Sequence, residues 1–431
     1  MDEATTKARE TLLDLARRWA AGDNVVDDAR IPRHALLLGN HRHYRANIAV
    51  YRELCDSLSV GDDVDLDTIV NELMFSDQLF KSYAPGLPER AEFGDLTHWL
   101  RSLYSGEIPS EVAAVGTLSA WRNTLARHGV RLSYSSGTSG QMSFVPRDAQ
   151  SWAALTNNGQ TYSDTSWFLD SDGRPRPFAC LVAGPRGTGL GIQGAAAGLT
   201  RMAARSHYLF DTELDIDGVL GAGSPDAGPT IVNAAGGAAP FVQARDFLRS
   251  AAEDKLRVLV FGAPFYLRQL CQQLAALGGN IELPAGSMVS TGGGWKSFAR
   301  EMIPRADLLA MIERTLGIGA AAFKDVYSTA EINCSLIGCA EGRYHIPPLL
   351  EVVVLDEAFL GEIGAPGTGL VGFLDPFATS YPGFIITGDV ATLSEGHCAC
   401  GLHGPFIDGE IQRATNREVK GCGGVLAAAL S

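Results

Sequence analysis

Three short apolar runs that each end in glycine constrain this chain more than any other feature. They are FACLVAG (178–184), RVLVFGAP (257–264) and SMVSTGGGW (287–295). Runs of this length, bounded by turn residues, predict fully buried strands, and the helical stretches 265–277 and 298–316 lie between or beyond them. Buried strands alternating with helices predict an α/β layout with a substantially parallel sheet. Closely spaced strands near 349–356 and 369–374 predict a smaller β-rich part. The first 130 residues read as mostly helical. Leu12, Leu13, Leu15, Ala16 and Trp19 form one apolar stripe, and the stretches 64–84 and 111–130 repeat the pattern. Asp67 is placed to cap the helix that begins at Thr68 and Ile69.

Composition narrows the function classes. The chain has 431 residues, a net charge of −14 and eight cysteines. That length allows two or three ordinary domains or one large α/β domain, with a core that needs no disulfide staples. The acid excess excludes a nucleic-acid binder, because phosphate contacts need a basic face. No apolar run reaches about 18 residues, so no membrane span is expected. The N-terminus is charged throughout and lacks the apolar core of a secretory signal, which gives a cytoplasmic address. In a reducing compartment the cysteines are metal-binding, catalytic or buried rather than paired.

The segment LSYSSGTSGQMSFVPRD (132–148) leads from a strand into Ser135, Ser136, Gly137, Thr138, Ser139 and Gly140. Such a loop offers backbone N–H groups and hydroxyls to phosphate oxygens. It lacks the Gly-Lys-Ser/Thr ending of a Walker loop. The wording resembles the phosphate-binding motif of the adenylate-forming superfamily of acyl-CoA synthetases, peptide-synthetase adenylation domains and luciferases. Within it, the match is most similar to the acyl-protein synthetases of bacterial bioluminescence, with the phenylacetate–CoA ligases as close relatives. The lysine usual after the second glycine is replaced by Gln141-Met142-Ser143, which leaves Lys296 or Arg147 to help hold phosphate.

Four further stretches follow in the order of that family. Gly292, Gly293 and Gly294 in STGGGWK resemble the strand end that lies against adenine and the acyl chain. In DVYSTAE, the resemblance implies that Tyr327 stacks on adenine, Asp325 lies near its amino group and Glu331 binds Mg²⁺ on the ATP phosphates. The usual threonine is Ala330 and the usual glycine is Ser328, with Thr329 or Ser328 as substitutes. Asp389 in FIITGDVATL matches the aspartate that binds the ribose hydroxyls. GEIQRATNREVKGCGG (409–424) resembles the hinge, with Glu410 where the family has arginine and with Lys420 and Gly421 retained. The implied division is an adenylate-forming catalytic domain over 1–408, helical over 1–130 and holding the nucleotide and substrate over 131–408. A hinge-like segment and short tail occupy 409–431, and the mobile C-terminal domain is absent.

Cys339, His345, Cys398 and Cys400 form a set of three thiolates and one imidazole suited to structural Zn²⁺. Some phenylacetate–CoA ligase relatives carry a similar arrangement. Cys334, His397 and His403 are possible substitute ligands, and unrelated buried cysteines are the alternative. Cys55, Cys180 and Cys271 sit on apolar stretches and read as core. Cys422, beside Lys420, matches the acyl-accepting cysteine of the bioluminescence synthetases. The expected activity is ATP-dependent conversion of a carboxylate to acyl-AMP, followed by transfer to a thiol: Cys422, a carrier protein, CoA or a reductase. Lys296, Glu331, Lys420 and Cys422 are the expected catalytic residues, with ATP, Mg²⁺ and structural Zn²⁺ as cofactors. Two alternatives stay open: a degenerate homologue that binds without turnover, and an adenylating enzyme that uses an amine or an oxyacid such as nitrite.

Overall fold

The computed structural model describes residues 3–134, 141–162, 165–170, 172–186, 191–213, 237–295, 300–358 and 361–414. Chain contacts divide it into two compact units. The first comprises Met1–Ser163, Ala330–Leu336 and Glu341–Ser431, and the second Asp164–Thr329 and Ile337–Ala340. The fold is mixed α/β with a helical N-terminal segment, as the alternation of strand and helix patterns predicts.

The first unit opens with α1 (Glu3–Ala20), α2 (Val26–Asn47), α3 (Ala49–Leu58) and α4 (Leu66–Glu72). Leu12, Leu15, Ala16 and Trp19 of the stripe read from the sequence are buried in α1, and Leu13 beside them is half-buried. The cap of α4 is Asp65 rather than Asp67, because α4 starts at Leu66 and the Asp65 carboxylate accepts from the Thr68 N–H at 2.8 Å. The helix expected over 64–84 also stops early. Strand β1 (Phe75–Ser76) leaves it to pair in parallel with Ile385 and Ile386, and Ser76 then caps a 3₁₀ turn, Asp77–Lys81. Next come α5 (Phe93–Leu103), α6 (Leu118–Arg127), the hairpin β2 (Arg131–Tyr134) and β3 (Phe144–Arg147), and α7 (Ala149–Tyr162). The stretch 111–130 holds a 3₁₀ turn, Ser110–Ala113, before α6 rather than one helix.

The second unit contains β4 (Ala179–Arg186), α8 (Gly191–Met202), β5 (Arg205–Glu213), α9 (Ala239–Glu253), β6 (Val258–Gly262), α10 (Pro264–Ala276), β7 (Met288–Gly292), α11 (Arg305–Leu316) and β8 (Phe323–Tyr327). Its strands run parallel in the order β8-β7-β6-β4-β5. The period-2 alternation of a strand sorts the side chains to two faces. Ala179, Leu181, Val258, Val260 and Val289 pack with α9, α10 and α11, while Cys180, Val182, Leu259, Phe261 and Met288 pack with Trp167, Phe168 and Ala196. Both faces are covered, which is why these strands read as continuous apolar runs.

After β9 (Leu336–Gly338), the chain forms β10 (Arg343–His345), β11 (Glu351–Leu355), β12 (Glu362–Ile363), β13 (Gly367–Leu374), β14 (Phe384–His397) and β15 (His403–Arg413). In the first unit these form an antiparallel ladder, β12-β11-β13-β14-β15-β10, which is the β-rich part expected. The N-terminal helices pack on it. Asn40 Nδ2 donates to the carbonyls of Asp375 and Pro376, Tyr44 OH donates to the Ala378 carbonyl, and the half-buried Arg33 meets Glu351. Among the described residues, no helix is long and apolar enough to cross a membrane.

Candidate active site

In the second unit the glycines sit at the carboxyl ends of parallel strands, the edge at which open α/β sheets bind ligands. Gly262 pairs with Ala183, and a methyl group there would collide with the Ala183 carbonyl oxygen. Gly293 and Gly294 follow β7 with φ of 79° and 59°, a conformation that turns the chain and that side chains disfavour. Beside them, β8 carries Asp325 and Tyr327, with Thr291 opposite Asp325 and Gly292 opposite Val326. The Asp325 carboxylate accepts from the Val326 N–H at 3.0 Å. Tyr327 is half-buried, and Ser328 is exposed. The hydroxyl of Thr329 is buried with no hydrogen-bond partner among the described residues, so it is an oxygen that a ligand could satisfy.

In the first unit, Glu331 is buried, and Ser143 Oγ donates to its carboxylate at 3.4 Å. Ser143 and Ser133 sit at the two feet of the stretch that holds 135–140. Arg147, considered above as a phosphate holder, is fully buried with its guanidinium turned to protein. Nε donates to Asn333 Oδ1 at 2.8 Å, Nη1 to Ser133 Oγ, and Nη2 to the Ala330 carbonyl at 2.8 Å. Tyr381 stacks against that guanidinium and donates to the Glu331 carbonyl at 3.0 Å. Asp375, wholly buried, accepts from the N–H groups of Asn333 at 2.6 Å and Phe377 at 2.8 Å. Burial pushes its carboxyl above the ordinary range, an effect opposed by those two donors and by Arg147 and Arg9. Tyr381, Asn333 and Asp375 escaped sequence reasoning. The one available signal was a charged residue, Arg147, ending a run of buried positions in β3.

Asp389 lies on β14 directly opposite Arg413 on β15, and Arg413 Nη1 is 2.8 Å from its carboxylate. The basic residue beside Asp389 is therefore Arg413, three positions beyond the Glu410 that replaces the family's arginine.

Cys339, His345, Cys398 and Cys400 come together, with one ligand atom from each lying within 4.8 Å of the others. The turn Cys398–Gly401 is closed by the Gly401 N–H on the Cys398 carbonyl at 2.9 Å, and Gly401 takes φ of 96°. His345 Nε2 is 3.2 Å from Cys400 Sγ, and Arg343 Nη1 is 3.6 Å from Cys398 Sγ. Burial, aided by Arg343, pulls the His345 pKa down to about 4, so its ring is neutral and keeps a lone pair for a metal. Tetrahedral zinc with Zn–S bonds of about 2.3 Å places ligand atoms about 3.8 Å apart, a spacing this set can adopt. The donors therefore fit zinc. Cys55, Cys180 and Cys271 are buried in the core, and none of the described cysteines is disulfide-bonded.

Ser135, Ser136, Gly137, Thr138, Ser139, Gly140, Lys296, Lys420 and Cys422 lie outside the described residues.

Comparison with known proteins adds the family. Residues 232–431 match the model of the family described as acyl-protein synthetase, LuxE. Two curated relatives are both described as long-chain-fatty-acid–luciferin-component ligase. The one from Aliivibrio fischeri is 29% identical over 172 residues, which is 39% of this chain and 45% of that protein. The one from Vibrio harveyi is 24% identical over 166 residues, 38% of this chain and 43% of that protein. The matched stretch thus spans less than half the length of either relative. The crystal structure of an open conformation of 2-hydroxyisobutyryl-CoA ligase, in complex with 2-HIB-AMP and CoA, is similar with a TM-score of 0.54 and 12% identity, covering 89% of this chain and 70% of that one. At that identity the likeness concerns the fold. The resemblance read from the motifs therefore holds: the fold is that of the adenylate-forming acyl-CoA ligases, and over residues 232–431 the chain carries the pattern of the LuxE acyl-protein synthetases.

Proposed function

We propose that this chain is an ATP-dependent acid–thiol ligase that converts a carboxylate to acyl-AMP and passes the acyl group to a thiol. The match of residues 232–431 to the acyl-protein synthetases carries this reading. In it, residues 135–140 and Lys296 bind the ATP phosphates, Gly292, Gly293, Gly294 and Tyr327 flank the adenine, and Asp389 receives the ribose hydroxyls. Thr329, whose buried hydroxyl has no partner among the described residues, supplies the oxygen contact that Ala330 lacks. Mg²⁺ supplies charge neutralisation on the phosphates, with Glu331 as its hard oxygen ligand. Zn²⁺ on Cys339, His345, Cys398 and Cys400 is structural, because four protein ligands leave no open position.

The acyl-AMP anhydride is attacked by a thiolate, which forms the thioester and expels AMP. Cys422 is the proposed first acceptor, with Lys420 favouring its thiolate. A carrier protein, CoA or a reductase would take the acyl group next. The names of the curated relatives point to a long acyl chain as the substrate. Cysteines that are not disulfide-bonded among the described residues suit a reducing, cytoplasmic setting.

The test is incubation with ATP, Mg²⁺ and a panel of long-chain and aryl acids and nitrite, with amine acceptors included. Pyrophosphate release and an acyl mass at Cys422 are expected. No pyrophosphate with any acid, alongside measurable ATP binding, would replace this reading with a nucleotide binder, which the loss of the motif threonine at Ala330 favours.

A further inference from the structure

We propose that Arg147 is a positioning residue that fixes the Glu331 carboxylate, acting through the backbone of residues 330–333. This rests on the reading of Glu331 as the Mg²⁺ ligand. Four consecutive residues are held by one buried device. Arg147 Nη2 donates to the Ala330 carbonyl at 2.8 Å, to the Ile332 carbonyl at 3.4 Å and to Tyr381 OH at 3.1 Å. Tyr381 in turn donates to the Glu331 carbonyl, and Arg147 Nε holds the Asn333 side chain. The Asn333 N–H is taken by Asp375. The three carbonyls on either side of and at Glu331 are thereby fixed, while its carboxylate stays directed to Ser143.

The same guanidinium reaches Ser133, whose hydroxyl donates to the Ala330 carbonyl at 3.3 Å. Ser133 and Ser143 flank the glycine-rich stretch 135–140. Arg147 therefore ties one foot of that stretch, Ser133, to the segment carrying Glu331, while the other foot, Ser143, meets the Glu331 carboxylate itself. Only a planar fork with five donors makes these contacts at once. Lysine keeps the charge and loses the fork. A guanidinium with no surface exposure is costly to bury, and here its donors are taken up by Asn333, Ser133, the Ala330 carbonyl and Tyr381.

The experiment titrates ATP by calorimetry into the full chain, once with Mg²⁺ and once with EDTA, and records thermal melting for each variant. The ratio of the two affinities measures the metal-dependent part of binding. Arg147→Lys is expected to cut that ratio about tenfold, the scale of losing an outer-shell partner of a metal ligand, and to leave the EDTA affinity unchanged. Tyr381→Phe, which keeps the ring against the guanidinium, is expected to cut it less, and it serves as the test should Arg147→Lys not fold. Arg33→Lys disturbs a different, half-buried ion pair, with Glu351, and is expected to lower the melting temperature with no change in the ratio. If Glu331→Gln collapses the ratio while Arg147→Lys and Tyr381→Phe do not change it, this proposal is overturned and the Glu331 reading stands. If Glu331→Gln leaves the ratio at the parent value, the Glu331 reading itself falls.

Discussion

Arg413 and Asp389 face each other across two antiparallel strands, with Nη1 of the arginine 2.8 Å from a carboxylate oxygen. The aspartate side chain is 15% exposed and the arginine 65% exposed, so the pair holds the carboxylate in one orientation while most of the arginine remains in solvent. An ion pair this open contributes less than about 1 kcal/mol to stability. Arg413→Met is therefore expected to leave urea unfolding almost unchanged. Asp389→Ala is expected to weaken ATP binding by on the order of tenfold, the worth of a hydrogen bond to a charged group. Equilibrium ATP titration of both variants checks this, and an Asp389→Ala protein that binds ATP like the parent would refute the ribose-binding role.

The cysteine cluster predicts a metal content and a labelling order. Purified protein is expected to carry one zinc per chain by elemental analysis, and Cys398→Ser to carry none. Trp19 donates to the His403 carbonyl at 2.7 Å and meets the His345 ring edge-on at 6.4 Å, so chelation is expected to change its fluorescence. In stripped protein, the exposed Cys400 is expected to react with iodoacetamide first among the cysteines of the described residues. Burial pushes the thiols of Cys180 and Cys271 up to about 12 and that of Cys55 up to about 11, so these three should stay unlabelled until the chain is denatured.

Stability is expected to fall on the acid side through histidine. His41 Nε2 donates to the Gly61 carbonyl, which leaves Nδ1 to accept from Tyr51 OH. Burial holds His41, His43 and His207 below the ordinary histidine value, and pulls His345 down to about 4. A folded-state pKa below the unfolded one means the unfolded chain binds more protons. The stability present above about pH 6.5 is then lost as pH falls below that unfolded value, and the loss for each ring is complete below its folded value. The urea midpoint should drop between pH 7.5 and pH 5. The drop should be smaller in His41→Gln, whose side chain does not titrate.

Gly262→Ala tests the close approach of β6 to β4. The added methyl would collide with the Ala183 carbonyl oxygen and lie 2.9 Å from the Ala183 Cβ. Backbone on both sides leaves little room to give, so a loss of about 2–3 kcal/mol is expected, in the range of overpacked cores. Urea unfolding measures it. A loss near zero would mean that β4 and β6 separate more readily than their register implies.

The parallel strands were legible because burial on both faces leaves a continuous apolar run in the sequence, and glycine marks where each run ends. The stretch 64–84 was misread because its helical spacing says nothing of the partner that Phe75 and Ser76 find at Ile385 and Ile386. The same limit applies to Arg147. A motif match places an arginine near phosphate-binding residues, but only the fold shows that Tyr381 and Asn333, more than 180 positions away, take up its donors. The cysteine–histidine set was legible because its chemistry is carried by residue type and by two short hairpins.

The N-terminal helices make their contacts at the far end of the chain. Arg9 donates to the Pro376 carbonyl, Asn40 to that of Asp375, and Trp19 to that of His403. At about 5–20 residues per second of synthesis, the 384 positions between Trp19 and His403 take about 20–80 s to appear. For that interval α1 and α2 have made their apolar stripes but lack the strands that bury them. This part of the molecule therefore completes its folding after β14 and β15 emerge, and in a growing cell its first helices are a natural client for chaperones that shield exposed apolar surface.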